Sequence, residues 1–458
     1  MQRDQLGNPV TGRRDDTLRA IDDFVGGYLS YETRAEHIVR AAEADPDSCL
    51  ANAYAGMLWM LLEAPEAGQR AAKYLDAAEH SAPAATRREQ LNTALLRAWV
   101  EDDAQLAMRL CDDTADEFPR DLVIVKTHQY FEFNRGDAPA MLRTALKVAT
   151  ANADIPYFHG MAAFAYEQCH LLEEAESAAR TALAMRRKEP WAQHALAHVL
   201  LTRGRIDEGA RFLEEAADTW TQLNSFMLTH LWWHLTLFYL SQGRDREALD
   251  LYDERCWGVA KDYSQDQIGA VSLLARFELA GIDVGARWQD LADHLEARAS
   301  DTLQPFLTLQ YLYGLARAGR CQADALLESV RRRAICAPDF SRAIWQEVAL
   351  PGCEGLYAHA RGEYARAWDR LATAVPRMRE AGGSHAQRDL FDQILLDAAI
   401  RTGRLTAAQQ MLELRRSADP DGVPVNTALA AVYSKLGLDA LSDQARSRAS
   451  LTRFRHSS

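Results

Sequence analysis

Apolar residues return along this chain at helical spacing, with charged residues on the opposite positions. The pattern is clearest between Ile155 and Pro190. One segment there carries Met161, Phe164 and Tyr166. The next reads Glu173-Glu174-Ala175-Glu176 and then Ala178, Ala179, Ala182 and Leu183. Apolar stripes of this kind, backed by charge, predict two amphipathic helices packed against each other. The unit recurs: an apolar helix ends at Gly plus a charged residue, and a second helix follows with an early Ala. It stands at Gly204-Arg205 with Ala210, Gly243-Arg244 with Ala248, Gly362-Glu363 with Ala367, and Gly403-Arg404 with Ala408. Weaker copies are Gly136-Asp137 and Gly319-Arg320. Glycine closes a helix because it adopts positive φ at little cost. The small alanine lets the second helix come close. Pro or Asp then opens the next unit, as at Glu189-Pro190 and Asp419-Pro420. No segment shows strand alternation bounded by turn pairs.

Repeated helix pairs with a period near 34 residues predict an all-α fold, a tetratricopeptide-like α-solenoid, that is, a right-handed superhelix of antiparallel helix pairs. Helices are expected from about Thr17 to Ser447, with little or no sheet. No low-complexity linker interrupts the pattern, so one continuous array is expected over residues 1–458. Gly382-Gly383-Ser384 is the strongest break in the second half and marks a subdivision near 380–385.

Composition narrows the partners. Hydrophobic residues make up 48%, which suits a packed core, and the formal net charge of −13 argues against nucleic acid and anionic membranes. The longest apolar stretch, Phe226 to Leu240, is broken by His230 and His234 and predicts no membrane span. The start, Met1 to Asp16, is polar and carries Arg3, Asp4, Arg13 and Arg14, unlike a secretory signal. The seven cysteines, Cys49, Cys111, Cys169, Cys256, Cys321, Cys336 and Cys353, show no CxxC spacing. They are expected as buried free thiols in a cytoplasmic protein that does not hold zinc through cysteine.

Several stretches resemble the tetratricopeptide repeat protein 38 family in its bacterial form. They are Thr86-Arg87-Arg88-Glu89-Gln90, His194–His198, His230–His234, Val284-Gly285-Ala286-Arg287-Trp288-Gln289-Asp290 and Gly382-Gly383-Ser384-His385-Ala386-Gln387-Arg388-Asp389. They fall in the family's order and span most of the chain. The resemblance implies a long tetratricopeptide-like solenoid and transfers little chemistry. It also implies Asp and His near positions where this chain has Thr308 and Gln310.

The most unusual chemistry lies between Trp191 and Trp257. His194 and His198 are four apart, as are His230 and His234, and each pair shares one helix face. The second pair follows the first by 36 residues, close to one repeat, so all four imidazoles are expected to converge. Trp191, Trp220, Trp232, Trp233 and Trp257 are five of the ten tryptophans and surround them. Three readings stay open. The histidines are buried structural groups, or they bind a divalent transition metal, or they line a pocket for a small organic ligand and act on its protons. Neither pair is an H-E-x-x-H motif, so a metal would need a distant carboxylate such as Asp250, Asp253 or Asp266.

A second polar group follows the glycine break. His385, Gln387, Arg388 and Asp389 sit at a helix start, where free N–H groups and Arg388 can meet an anion. The alternative is a capped helix with an Arg–Asp surface pair. Thr86 to Glu89 reads as a capping box. Phosphate loops, nucleophile elbows and dinucleotide fingerprints are absent from the sequence. Two functions remain. One is a pocket formed by His194, His198, His230 and His234 with Trp191, Trp233 and the 385–389 group, binding and acting on a small molecule. The other is a scaffold that grips a peptide or protein, with self-association compatible with either.

Overall fold

The computed structural model describes residues 2–12 and 14–456; Met1 and Arg13 of the polar N-terminal stretch lie outside them. Among the described residues the chain is all-α and built of consecutive helix pairs, from Asp15–Ser30 to Asp439–His456. The only named strands there are Gln2–Arg3 and Pro9–Val10, which pair antiparallel in a short hairpin. No helix of the described residues is long and apolar enough to cross a membrane.

Residue contacts divide the chain into two compact units. The first comprises Met1–Leu196 with Asp218–Met227, and the second Ala197–Ala217 with Leu228–Ser458. In the first unit, Cys49–Met60 pairs with Ala67–Ser81, Arg87–Val100 with Ala104–Glu117, Leu122–Asn134 with Ala138–Lys147, and Pro156–Gln168 with Leu172–Met185. The predicted box is present: Thr86 accepts from the Glu89 N–H and Glu89 accepts from the Thr86 N–H. Asp103, Asp121 and Asp137 cap three further helices through their side chains, satisfying N–H groups that the helix cannot. The Asp15–Ser30 helix crosses two of these pairs. Phe24 stacks on Tyr54 with ring centroids 4.4 Å apart, and the Tyr28 hydroxyl meets Thr127 at 3.1 Å. The hairpin is held by fully buried Arg88, which pairs with Asp4 at 2.9 Å and Asp121 at 2.6 Å and donates to the Tyr54 hydroxyl at 2.8 Å.

In the second unit, Ser264–Leu279 pairs with Arg287–Leu295, Pro305–Arg317 with Gln322–Cys336, Leu350–Ala360 with Tyr364–Ala374, His385–Arg401 with Leu405–Ala418, and Val423–Lys435 with Asp439–His456. The signature alanines Ala210, Ala248, Ala367 and Ala408 are all buried, as their role at close crossings requires. All seven cysteines are free. One expectation is corrected: Cys321 and Cys336 are exposed, because they sit at the two ends of the Gln322–Cys336 helix instead of on its packed face, and Cys169 is half-buried just past the end of Pro156–Gln168.

Gly204 shows why the signature glycine is required. Its φ is +65°, and a Cβ there would overlap the Ala418 carbonyl oxygen at the end of a distant helix. Both the backbone conformation and the space exclude a side chain. Gly204→Ala is therefore expected to lower stability by more than about 1 kcal/mol in urea unfolding. An unchanged midpoint would remove this account of the turn.

Candidate histidine site

Two helices carry the four histidines, Pro190–Thr202 and Ser225–Gln242. His198, His230 and His234 belong to the second unit. The His198 and His234 rings lie 4.5 Å apart, and His230 and His234 4.8 Å apart. One ring nitrogen from each of the three lies within 4.8 Å of those of the other two. His198 and His234 are fully buried and His230 nearly so. The arrangement follows from spacing. His230 and His234 are one turn apart on a single face, and His198 comes from the corresponding helix of the preceding repeat.

Trp233 closes one side. Its ring stacks on His230 at 5.2 Å with 11° between planes and meets His234 edge-on at 4.8 Å. The Trp233 indole N–H is buried and has no hydrogen-bond partner among the described residues. His385 meets the His198 ring edge-on at 5.3 Å, and its Nε2 lies 3.0 Å from the Thr202 hydroxyl. Burial, then the nearby charge of His198, pushes the His230 imidazole down to about 3. It is therefore neutral at physiological pH, the form that accepts a hydrogen bond or ligates a metal.

The carboxylates weighed as distant ligands separate clearly. Asp253 is held at the surface by Arg287 at 2.8 and 2.6 Å, and Asp250 is exposed beside Arg246. Asp266 is buried, accepting from the Thr229 hydroxyl at 3.2 Å and from the Ala260 N–H at 3.2 Å.

His194 and Trp191 belong to the first unit, one turn and two turns before His198 on the same helix. The two rings stack at 4.5 Å, and Trp191 also meets Phe164 at 4.6 Å and Tyr31 at 5.1 Å. Two buried ionisable groups beside them carry no signal in the local sequence pattern. The Lys126 amino group sits 3.5 Å over the Tyr31 ring and donates to the Tyr28 and Leu29 carbonyls at 2.7 and 3.1 Å, and burial pulls it well below the usual lysine range. Glu189 accepts from the Ala192 N–H at 2.6 Å and so caps the histidine helix, while burial pushes its carboxyl up to about 7. Glu189-Pro190 was legible as the opening of a repeat, but not as a buried carboxylate.

The group after the glycine break divides between capping and ion pairing. Ser384 and Gln387 form a capping box, so one N–H expected to be free for an anion is already taken. Arg388 donates to the Gly383 carbonyl. Asp389 pairs with Arg415, accepts from Gln393 at 2.7 Å and lies 3.8 Å from Arg276. Burial works to raise this carboxyl, but Arg415 and then Arg276 hold it well below the usual range. Thr308 and Gln310 are buried on the Pro305–Arg317 helix, where the Thr308 hydroxyl donates to the Asp301 and Gln304 carbonyls.

These helix pairs define a tetratricopeptide-like helical repeat protein. No family model matches the chain. Among solved structures it is similar to human IFIT1, in the dimer with m7Gppp-AAAA, at 12% identity and a TM-score of 0.43, covering 98% of this chain and 97% of that one. It is similar to the TPR domain of P58(IPK) at 13% identity and a TM-score of 0.23, covering 80% and 92%. A third similarity is to the APC/C hetero-tetramer Cut9-Hcn1, at 12% identity and a TM-score of 0.26, covering 80% and 94%.

Metal-free protein gives a direct check on the electrostatics. The folded His230 is depressed below its unfolded value of 6.5 toward about 3. Between those values the unfolded chain binds a proton that the native state does not, so stability falls as pH falls through this window. The His230 imidazole resonance should show no titration between about pH 8 and pH 5. A titration midpoint near 6.5 would contradict the burial.

Proposed function

We propose that His198, His230 and His234 bind a first-row divalent metal and form the centre of a His/Trp-lined site for a small organic ligand. The observation that carries this reading is the approach of three buried ring nitrogens to within 4.8 Å of one another. Nitrogens about 2.0–2.1 Å from a tetrahedral zinc lie roughly 3.4 Å apart, so modest ring rotation brings this set to coordination distance. Neutral imidazoles suit zinc and its neighbours in the first row. Three protein ligands leave a position for water or substrate, and a bound metal supplies a Lewis acid and an activated water there. The same three histidines would then be the residues that position the reacting ligand, with Trp233 and His385 as its walls.

The two histidine segments are among the stretches similar to the tetratricopeptide repeat protein 38 family, which supports membership of that family. Seven free thiols support a reducing, cytoplasmic setting. A peptide-binding scaffold is the competing reading, and the repeat fold favours it. Against it, the Asp15–Ser30 helix already covers Tyr54 and Thr127 on the first helices of two pairs in the first unit. A scaffold also gains nothing from burying three imidazoles beside an unsatisfied indole, at roughly 1–3 kcal/mol for each unmet bond.

Protein purified without a histidine tag and loaded with Zn²⁺ tests the proposal by elemental analysis after dialysis. We expect stoichiometric metal in the parent and its loss in His198→Ala and His234→Ala, with helical circular dichroism retained. A parent that retains no metal, or alanine variants that retain it fully, would overturn the assignment.

A further inference from the structure

Arg276 is a buried cation of the second unit whose charge is only partly compensated. It lies on the Ser264–Leu279 helix and is almost completely buried. Its guanidinium donates to the Ala386 carbonyl at 2.8 Å and to the Ser272 hydroxyl. Among the described residues its carboxylate partner is Asp389, which stands 3.8 Å away, an ion-pair distance without a hydrogen bond. Asp389 is already engaged by Arg415 and Gln393. Burial first, and then the charge of Arg415, pulls the Arg276 guanidinium down to about 10, although Asp389 acts against this. By contrast, the buried Arg88 is raised by Asp121 and Asp4 in spite of its burial. A buried guanidinium whose carboxylate is shared and distant favours a further anion.

Its position makes that anion informative. The Arg276 guanidinium carbon lies 5.4 Å from the Trp233 ring, and the same ring contacts His230 and His234. The Ala386 carbonyl that it holds adjoins His385, whose ring meets His198. Arg276 is thus one side chain removed from the three imidazoles on two separate paths.

Resting on the histidine-site reading, we infer that the organic ligand is a short dicarboxylate, one carboxylate taken by the Arg276 fork and the other end directed to the histidine centre. Guanidinium binds carboxylate through two parallel N–H···O bonds, which fixes orientation as well as charge. Arg276 acts here as the specificity-determining residue for the acid.

Calorimetric titration of succinate, and of its neutral isostere succinamide, into metal-free and Zn²⁺-loaded full-length protein tests this. We expect succinate to bind and succinamide not to. Arg276→Gln should weaken succinate at least about tenfold while leaving Zn²⁺ content at the parent level. Arg276→Lys, which keeps the charge without the fork, should fall between them. Should Arg276→Gln lose its helical circular dichroism, the Lys variant and the succinamide comparison decide. Equal binding of both compounds, no binding of succinate, or parental succinate affinity in a folded Arg276→Gln protein overturns the inference. Metal retention with no succinate binding removes this inference and leaves the histidine centre. Arg276-dependent succinate binding in protein that takes up no metal does the reverse.

Discussion

The second unit depends on how closely its paired helices approach. A side chain on Gly209 would collide with the Phe238 ring, so the Ile206–Ala216 helix can lie against Ser225–Gln242 only because that carbon is missing. Ala358, Ala367 and Ala398 form the same kind of contact further along. Small residues at the crossings set the distance between successive repeats, and that distance decides whether imidazoles on neighbouring helices meet. With the helices held close, a spacing of four residues and an offset near one repeat place His198, His230 and His234 in a single group.

Close packing then dictates the electrostatics. The His230 imidazole, enclosed by helix and tryptophan, loses water, and the proton leaves with it. Charged groups at the same depth need partners. Asp389 obtains two guanidinia, and Asp392, three residues on, is raised to about 6 by burial and by Asp389 itself. A neutral imidazole, His230, and an incompletely matched cation, Arg276, therefore stand close together in a protein whose overall charge is −13. That local departure from the acidic background is what marks the site.

Much of this was legible in the residues. The Gly-charge-Ala unit gave the helix pairs because period and turn chemistry are local, and the Thr86 capping box could be read from Thr with Glu three residues on. The histidines stood out because their spacing is itself geometric. Other features depended on contacts between distant segments. Arg276 meets Ala386 across 110 residues, and Lys126 meets the carbonyls of Tyr28 and Leu29 across 98 and 97. No periodicity encodes such pairs. The N-terminal strands are two residues each, too short for alternation to reveal. The 385–389 stretch was ambiguous for a physical reason: the same Gly-Ser start that can bind an anion also caps a helix, and Ser384 with Gln387 does the latter.

X-ray absorption at the metal edge of Zn²⁺-loaded, tag-free protein tests the central claim most directly, because it reads the ligand atoms themselves. The account predicts a first shell containing at least three imidazole nitrogens at about 2.0–2.1 Å, with the outer-ring scattering that imidazole produces. A shell of oxygen or sulfur without imidazole scattering would place the metal elsewhere and contradict it.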